Sequence, residues 1–312
     1  QGLRQILGLI EDASFPAHLD HLPEGGALTS LALFLRRDTS VLRAMTAHRW
    51  AESLVFRRRK SAAPIECDSK TLLRYFHAAQ SRICPGCLAD APELDRLIWS
   101  FRPLGICLEH RIPLLACCPN CRRSLSPMQL DRSHCRCGRR FDVEKAAVVG
   151  DSLRNLAEQT DRWLNGATCD AFDLPPYAVF WWVDRLRAAV SQTTTWIARV
   201  REEWNLPEEF DPEAIVWSAA ADLAHQGPPR LAEFLEVYQT IDKHRSTSTG
   251  VGRAFGTLLR DADRLERYGF PVPADVLRDY LTARYDRGHL TGKVILFRSA
   301  LDRHRLTRRP WL

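Results

Sequence analysis

Cys84-Pro-Gly-Cys87, Cys107-Leu-Glu-His110, Cys118-Pro-Asn-Cys121 and Cys135-Arg-Cys137 stand within 54 residues of a 312-residue chain. A one- or two-residue spacer lets both side chains of a tight turn reach a single cation, and two such pairs complete one tetrahedral Zn²⁺ site with ligands at about 2.0–2.3 Å. The eight ligands Cys84, Cys87, Cys107, His110, Cys118, Cys121, Cys135 and Cys137 therefore predict two zinc ions. The first site joins pairs separated by 19 residues, the second joins pairs separated by 13, and seven residues divide the sites. Shared packing through Ile112, Leu114 and Leu115 is expected. With four protein ligands apiece, both sites are expected to be closed and structural, leaving no position for a catalytic water. Cys117 beside Cys118 and His134 beside Cys135 are competing donors. The knuckle spacing favours Cys118 and Cys135.

Working outward, the composition is that of a globular chain: 45% apolar and 26% charged residues. No apolar run reaches the 18 residues of a membrane span, because Ala178–Val183 soon meets Asp184, Arg185 and Arg187. The chain opens on Gln1 rather than Met, so an initial segment is expected to be missing, and Gln1-Gly-Leu-Arg has no signal-peptide pattern. Seven of the ten cysteines enter the ligand pattern, which fits metal in a reducing cytosol better than a disulfide framework. Cys67 and Cys169 fall outside it and read as small buried residues. A net charge of +6 is carried by 39 Arg and only 5 Lys. Arginine suits phosphate and carboxylate partners, and the moderate excess permits nucleic-acid binding without requiring it.

Before the metal region, Leu3, Ile6, Leu7, Leu9 and Ile10 have the spacing of an amphipathic helix. Leu28, Leu31 and Leu35, then Val41, Leu42 and Met45, predict two short helices around Arg36-Arg37-Asp38-Thr39, with Asp38 or Thr39 capping the second. This unit is helix-turn-helix-like, and Arg43, Thr46 and Arg49 would lie on its exposed face. An ordinary helical hairpin explains the same pattern. Arg57, Arg58, Arg59 and Lys60 follow, either a solvated linker or a phosphate-binding strap. A helix is expected over 69–80, with His77 on it. Around the second metal site, Arg122, Arg123, Arg132, Arg136, Arg139 and Arg140 could contact phosphate or an acidic surface.

Beyond Gly150 the chain reads as helices: one carrying Leu153, Leu156 and Trp163-Leu164, one or two over 177–204, one over 212–224 capped by Asp211, and one over 231–241. Trp181, Trp182, Trp196, Trp204 and Trp217 are expected in the core. Ser246–Gly250 is a polar loop. Helices over 273–285 and 294–301 form a second helix-turn-helix candidate with Lys293, Arg298, Arg303 and Arg305, although bundle packing explains them as well. The expected fold is mainly α: a helix-turn-helix-like unit over 1–66, a tandem two-zinc ribbon or knuckle region over 67–145, and a helical C-terminal domain over 146–312. Asp211, Asp261 and Asp263 read as caps and surface charges, so no catalytic constellation is legible and no enzymatic activity is expected.

The ordered set Arg82-Ile-Cys84-Pro-Gly-Cys87-Leu, Leu97-Ile-Trp99, Cys107-Leu-Glu-His110, Leu114-Leu115, Cys118-Pro-Asn-Cys121 and Cys135-Arg-Cys137-Gly138 resembles the TniQ family. That family includes the TnsD-type proteins of related bacterial transposons. The likeness is specific over about 80–142; the flanking helical segments are merely compatible with it. Cys117 departs from the polar residue expected there. The resemblance implies that the eight ligand positions hold zinc. It also implies a non-catalytic, cytoplasmic bacterial transposition factor that selects or marks a target site. Its partners would be an AAA+ ATPase regulator of the transposase (TnsC- or TniB-like), target DNA and, in some members, an RNA-guided CRISPR effector complex; a homodimer is compatible. The alternative is a zinc-stabilised DNA-binding transcription regulator unconnected to transposition.

Overall fold

The structure, a computed structural model, describes residues 26–56, 71, 74–77, 82–91, 96–125, 133–141, 149–207, 210–245 and 255–286. The expected helix at 3–12, the basic residues Arg57, Arg58, Arg59 and Lys60, Arg132, Cys67, the 246–250 loop and the 294–301 helix lie outside them, as does the side chain of Arg43.

The protein is mainly helical, and among the described residues extended pairing is limited to isolated antiparallel bridges. Helices α1 (Gly26–Leu35), α2 (Thr39–Ala44) and α3 (Ala51–Leu54) precede the metal region, where α4 (Pro85–Asp90) carries the first knuckle. Seven helices follow: α5 (Asp151–Leu164), α6 (Pro176–Val190), α7 (Thr194–Glu203), α8 (Pro212–Gln226), α9 (Pro228–Arg245), α10 (Gly256–Arg267) and α11 (Val272–Asp286). No described helix is long and apolar enough to cross a membrane.

The core is built around α8, which packs most extensively on α6 and is also flanked by α5, α7 and α9. Its Ala219-Ala-Ala221 and Ala224 are fully buried, and these small side chains let the neighbouring helices approach closely. Asp211 caps α8 by accepting from the Glu213 amide at 3.0 Å, and Pro212 follows at the first turn. The segment 177–204 forms two helices because the chain turns at 191–193, where buried Thr193 bonds back to the Ala189 carbonyl at 3.0 Å. Trp181, Trp182, Trp196, Trp204 and Trp217 are all buried, as expected.

An aromatic seam ties the N-terminal part and the metal region to these helices. Trp50 stacks on Phe76 at 5.7 Å, Phe76 meets Phe101 at 5.2 Å, and Phe101 meets Phe180 of α6 at 5.4 Å. This seam overrides the helix expected over 69–80. Tyr75 is the last residue of its described helical turn, Phe76 pairs with Phe101 across a bridge, and buried His77 donates its amide to the Ser100 carbonyl at 2.8 Å. Burial of two adjacent aromatic rings outweighs a modest helix propensity.

In the N-terminal hairpin, Asp38 caps α2 through the Ser40 amide at 2.7 Å, and Ala32 packs on Leu42. The expected exposed face does not form as drawn. Helix α2 ends at Ala44, a 3-10 turn over Ala47–Trp50 follows, and Thr46 is buried while Arg49 stays exposed with its guanidinium 5.2 Å from the Trp50 ring centre. Leu35 is 46% exposed, and Val41 and Met45 also face solvent.

Candidate metal centres

The first centre is assembled from two short turns. Cys84 is the N-cap of α4, Pro85 occupies its first turn, and the Cys87 amide points at Cys84 Sγ from 3.4 Å. The opposing knuckle closes when the Arg111 amide donates to the Cys107 carbonyl at 2.8 Å, with Arg111 left-handed at φ 58°. The second centre repeats this device twice. Arg122, at φ 58°, donates to the Cys118 carbonyl, and Gly138, at φ 83°, donates to that of Cys135. A left-handed residue thus follows the second donor in three of the four knuckles, and Gly138 adopts that conformation without the steric cost the two arginines carry.

These turns bring Cys84, Cys87, Cys107 and His110 into one cluster and Cys118, Cys121, Cys135 and Cys137 into another, with all ligand atoms of each within 4.8 Å of one another. In the first, Cys87 Sγ is 3.5 Å from Cys107 Sγ and 3.3 Å from His110 Nδ1. In the second, Cys118 and Cys137 sulfurs are 3.7 Å apart and those of Cys121 and Cys135 are 3.5 Å apart. A tetrahedron with metal–sulfur bonds of about 2.3 Å has edges of about 3.8 Å, so both donor sets fit one tetrahedral ion each. Disulfide sulfurs would stand at about 2.05 Å, and the nine described cysteines are all free. Cys117 lies outside the second cluster with its sulfur 3.9 Å from Ser124 Oγ, and His134 turns to Ser133 Oγ at 2.8 Å.

Electrostatics favour a cation. A hydrogen bond from Cys84 holds Cys107 well below the usual thiol range, and the same contact, reinforced by burial, pushes Cys84 up. Burial pushes Cys87 up to about 12, so the thiols cannot all ionise unaided. A divalent metal would replace the protons that this crowding retains. Around the cluster, Arg96 pairs with Glu109 at 2.6 Å, and Asp90 Oδ2 lies 3.1 Å from His110 Nε2.

The two centres share a spine. Ile112 and Leu114 pack with the first cluster, whereas Leu115, bridged to Ile83, packs with the second. Arg82, one residue earlier, is buried and donates Nε to the Trp99 carbonyl at 2.7 Å and a terminal nitrogen to that of Phe101. Burial lowers its pKa to about 10, opposed by the nearby Asp211 and Glu213 carboxylates at the start of α8. Arg102 also pairs with Glu213, and Gly105 leaves room for the Phe210 ring, which a Cβ would meet at 2.7 Å. Arg82 was legible only as part of a motif; its role as a buried joint was not, because its acidic neighbours lie about 130 residues away in sequence.

The expected arginines group unevenly. Arg122, Arg123, Arg136 and Arg140 are exposed and Arg139 half-buried on the knuckles of the second centre, while Arg49 belongs to the N-terminal hairpin.

No individual curated protein matches the chain. The TniQ family profile matches residues 6–114. This span reaches further toward the N-terminus than the strongest motif likeness and contains the whole first cluster, but it stops before Cys118. Over residues 6–114, the chain is similar to the TniQ family.

Proposed function

We propose that this protein is a non-catalytic transposition factor that marks a target site and links it to an AAA+ ATPase regulator of the transposase. The observation that carries this reading is the coincidence of the TniQ match over 6–114 with a complete four-donor metal cluster inside it. A TniQ domain implies a transposition-associated, DNA-binding factor. Target recognition would come from duplex DNA, from an RNA-guided effector complex, or from both, and the protein would act in the bacterial cytoplasm.

In this reading each cluster holds one structural Zn²⁺. The donor sets match zinc in softness and number, and four protein donors leave no open position for a reactive water. The metal supplies rigidity, and the chain's own residues supply recognition. Arg122, Arg123, Arg136, Arg139 and Arg140 on the second centre, with Arg43, Arg49, Arg57, Arg58, Arg59 and Lys60 from the N-terminal part, are the proposed DNA or partner contacts. The division into 1–66, 67–145 and 146–312 is proposed as the functional layout.

The test is a pull-down of the purified protein with an AAA+ regulator of a transposase and with duplex DNA at two salt concentrations. Capture of the ATPase, or DNA binding that weakens steeply with salt, supports the reading. Failure of both, or metal-dependent strand cleavage by the protein alone, overturns it.

A further inference from the structure

Helix α10 carries three arginines, Arg260, Arg264 and Arg267, interleaved with three acids, Asp261, Asp263 and Glu266. Asp263 and Glu266 turn toward Arg278 of α11, which reaches Asp263 at 2.9 Å and also pairs with Glu266. Arg260, Arg264 and Arg267 stand at the helical spacing i, i+4, i+7, so they share one face. All three are exposed, and with Tyr268 and Asp261 they line an open depression of about 440 Å³. Asp263 and Glu266 are engaged by Arg278, and among the described residues Asp261 is the carboxylate in the lining.

The row is braced for contact. Arg264 donates Nε to Tyr268 Oη at 3.2 Å and lies 5.9 Å from the ring centres of both Tyr268 and Trp181. Arg267 donates Nε to the Asp263 carbonyl at 3.3 Å. Each contact uses Nε and fixes the side chain's stem, and among the described residues no hydrogen bond occupies the terminal amino groups of Arg264 or Arg267. Below the depression, Phe56 is stacked at 5.0 Å on Trp181 and lies 5.0 Å from Tyr268. These ring contacts join the N-terminal part to α10.

We infer that the Arg260, Arg264 and Arg267 face of α10 is a contact surface for the phosphate backbone of duplex nucleic acid. Seven residues of helix span roughly 10 Å, the axial rise of about three base pairs. Three of the five lining residues are arginines, so the depression is dominated by positive charge, the complement of a phosphate backbone. Guanidinium groups on a braced helical face supply sequence-independent contacts that position a duplex. This surface adds to the arginines on the second metal centre and rests on the DNA-binding part of the proposed function.

The experiment compares duplex binding by the full chain with that of the triple variant Arg260→Gln/Arg264→Gln/Arg267→Gln, from 50 to 200 mM salt, alongside capture of the ATPase. Loss of three phosphate contacts should flatten the salt dependence, so that affinity falls over this range about 40-fold less in the variant than in the wild type. The corresponding triple Lys variant, which keeps the charges, should retain most of the slope and controls for a folding defect. If the wild type binds duplex and the Gln variant binds it with an unchanged slope, the inference is overturned while the proposed function stands. Loss of ATPase capture with unchanged DNA binding would likewise overturn it, by assigning the face to an acidic protein. Wild-type protein that captures the ATPase but no duplex overturns this inference alone; capture of neither overturns both.

Discussion

His110 Nε2 lies 3.1 Å from Asp90 Oδ2 while Nδ1 of the same ring faces Cys87 Sγ at 3.3 Å. The imidazole is thus oriented from both ends: with Nε2–H donating to the carboxylate, Nδ1 would present its lone pair to a metal held by the cysteines. Carboxylates in this relation raise the basicity of a metal-binding histidine and fix its tautomer, and their loss typically costs 10–100-fold in metal affinity. Asp90→Asn should therefore weaken metal binding at the first centre by about that factor and leave the second unchanged. Chelator competition with stepwise metal counting checks this; equal weakening at both centres would show that Asp90 acts on the fold at large.

Gly86 sits under the same ring. A Cβ there would lie 2.3 Å from His110 Cδ2 and 2.5 Å from Cγ, well inside contact distance. Gly86→Ala should push His110 out of the cluster. The expected product binds one metal ion per chain firmly instead of two, measured by elemental analysis after dialysis. Firm retention of both ions by the variant would mean that the ring can settle elsewhere without losing its metal.

Removing the metals altogether should have a larger effect than either substitution. The cores around the centres are small, with Ile83, Leu88, Leu125 and Phe141 in one and Trp99, Ile112 and Leu114 in the other, apart from the cysteines themselves. Such segments depend on metal for folding free energy. Treatment with a strong chelator should expose Trp99, now buried, to solvent and shift the tryptophan emission to the red, while much of the far-ultraviolet helical signal, carried by α5 to α11, persists.

What could be read from the sequence follows from how local each feature is. The knuckles are local, so spacing alone places all eight donors in two groups. The C-terminal helices are periodic over ten or more residues, and Asp211-Pro212 marks the start of α8 correctly. Phe76 and His77 depart from the expected helix because their conformation is set by Phe101, 25 residues from Phe76. Thr46 was misplaced for a related reason: helix α2 stops after six residues, as the chain turns to bury Trp50 and Leu54 against the core. The α10 arginine row was missed because its meaning depends on Arg278 of α11 removing the intervening acids from the same helix.

Arg230 holds a second charged cluster together. It reaches buried Asp222 at 2.8 Å and Glu233 at 3.1 Å, pairs with Glu203, and lies 4.7 Å from the Trp196 ring centre. Removing it leaves the buried Asp222 carboxylate with the Gln226 amide at 2.9 Å but without its guanidinium partner. Arg230→Ala should cost about 3 kcal/mol in unfolding free energy, in the range found when one partner of a buried pair is deleted. The double variant Arg230→Met/Asp222→Leu, which removes both charges, should recover most of that loss. Denaturant titration of both variants checks the cycle, and a double variant as unstable as the single would place the cost in lost packing instead of the stranded charge.

Cys169 provides a pH signature separate from the metal centres. Its side chain is buried, its thiol donates to the Ala224 carbonyl at 3.3 Å, and burial raises its pKa from the ordinary 9.0 to about 11. Below pH 9 the thiol is neutral in both folded and unfolded chains, so its contribution is constant. Between pH 9 and about 11 the unfolded chain releases the proton and the folded chain retains it; the unfolded state then binds fewer protons, and stability falls as pH rises. The shift of two units corresponds to at most about 2.7 kcal/mol. Unfolding free energies measured at pH 8 and pH 11 should thus differ by less in Cys169→Ala than in the wild type. An identical loss in both proteins would assign the alkaline sensitivity to other groups.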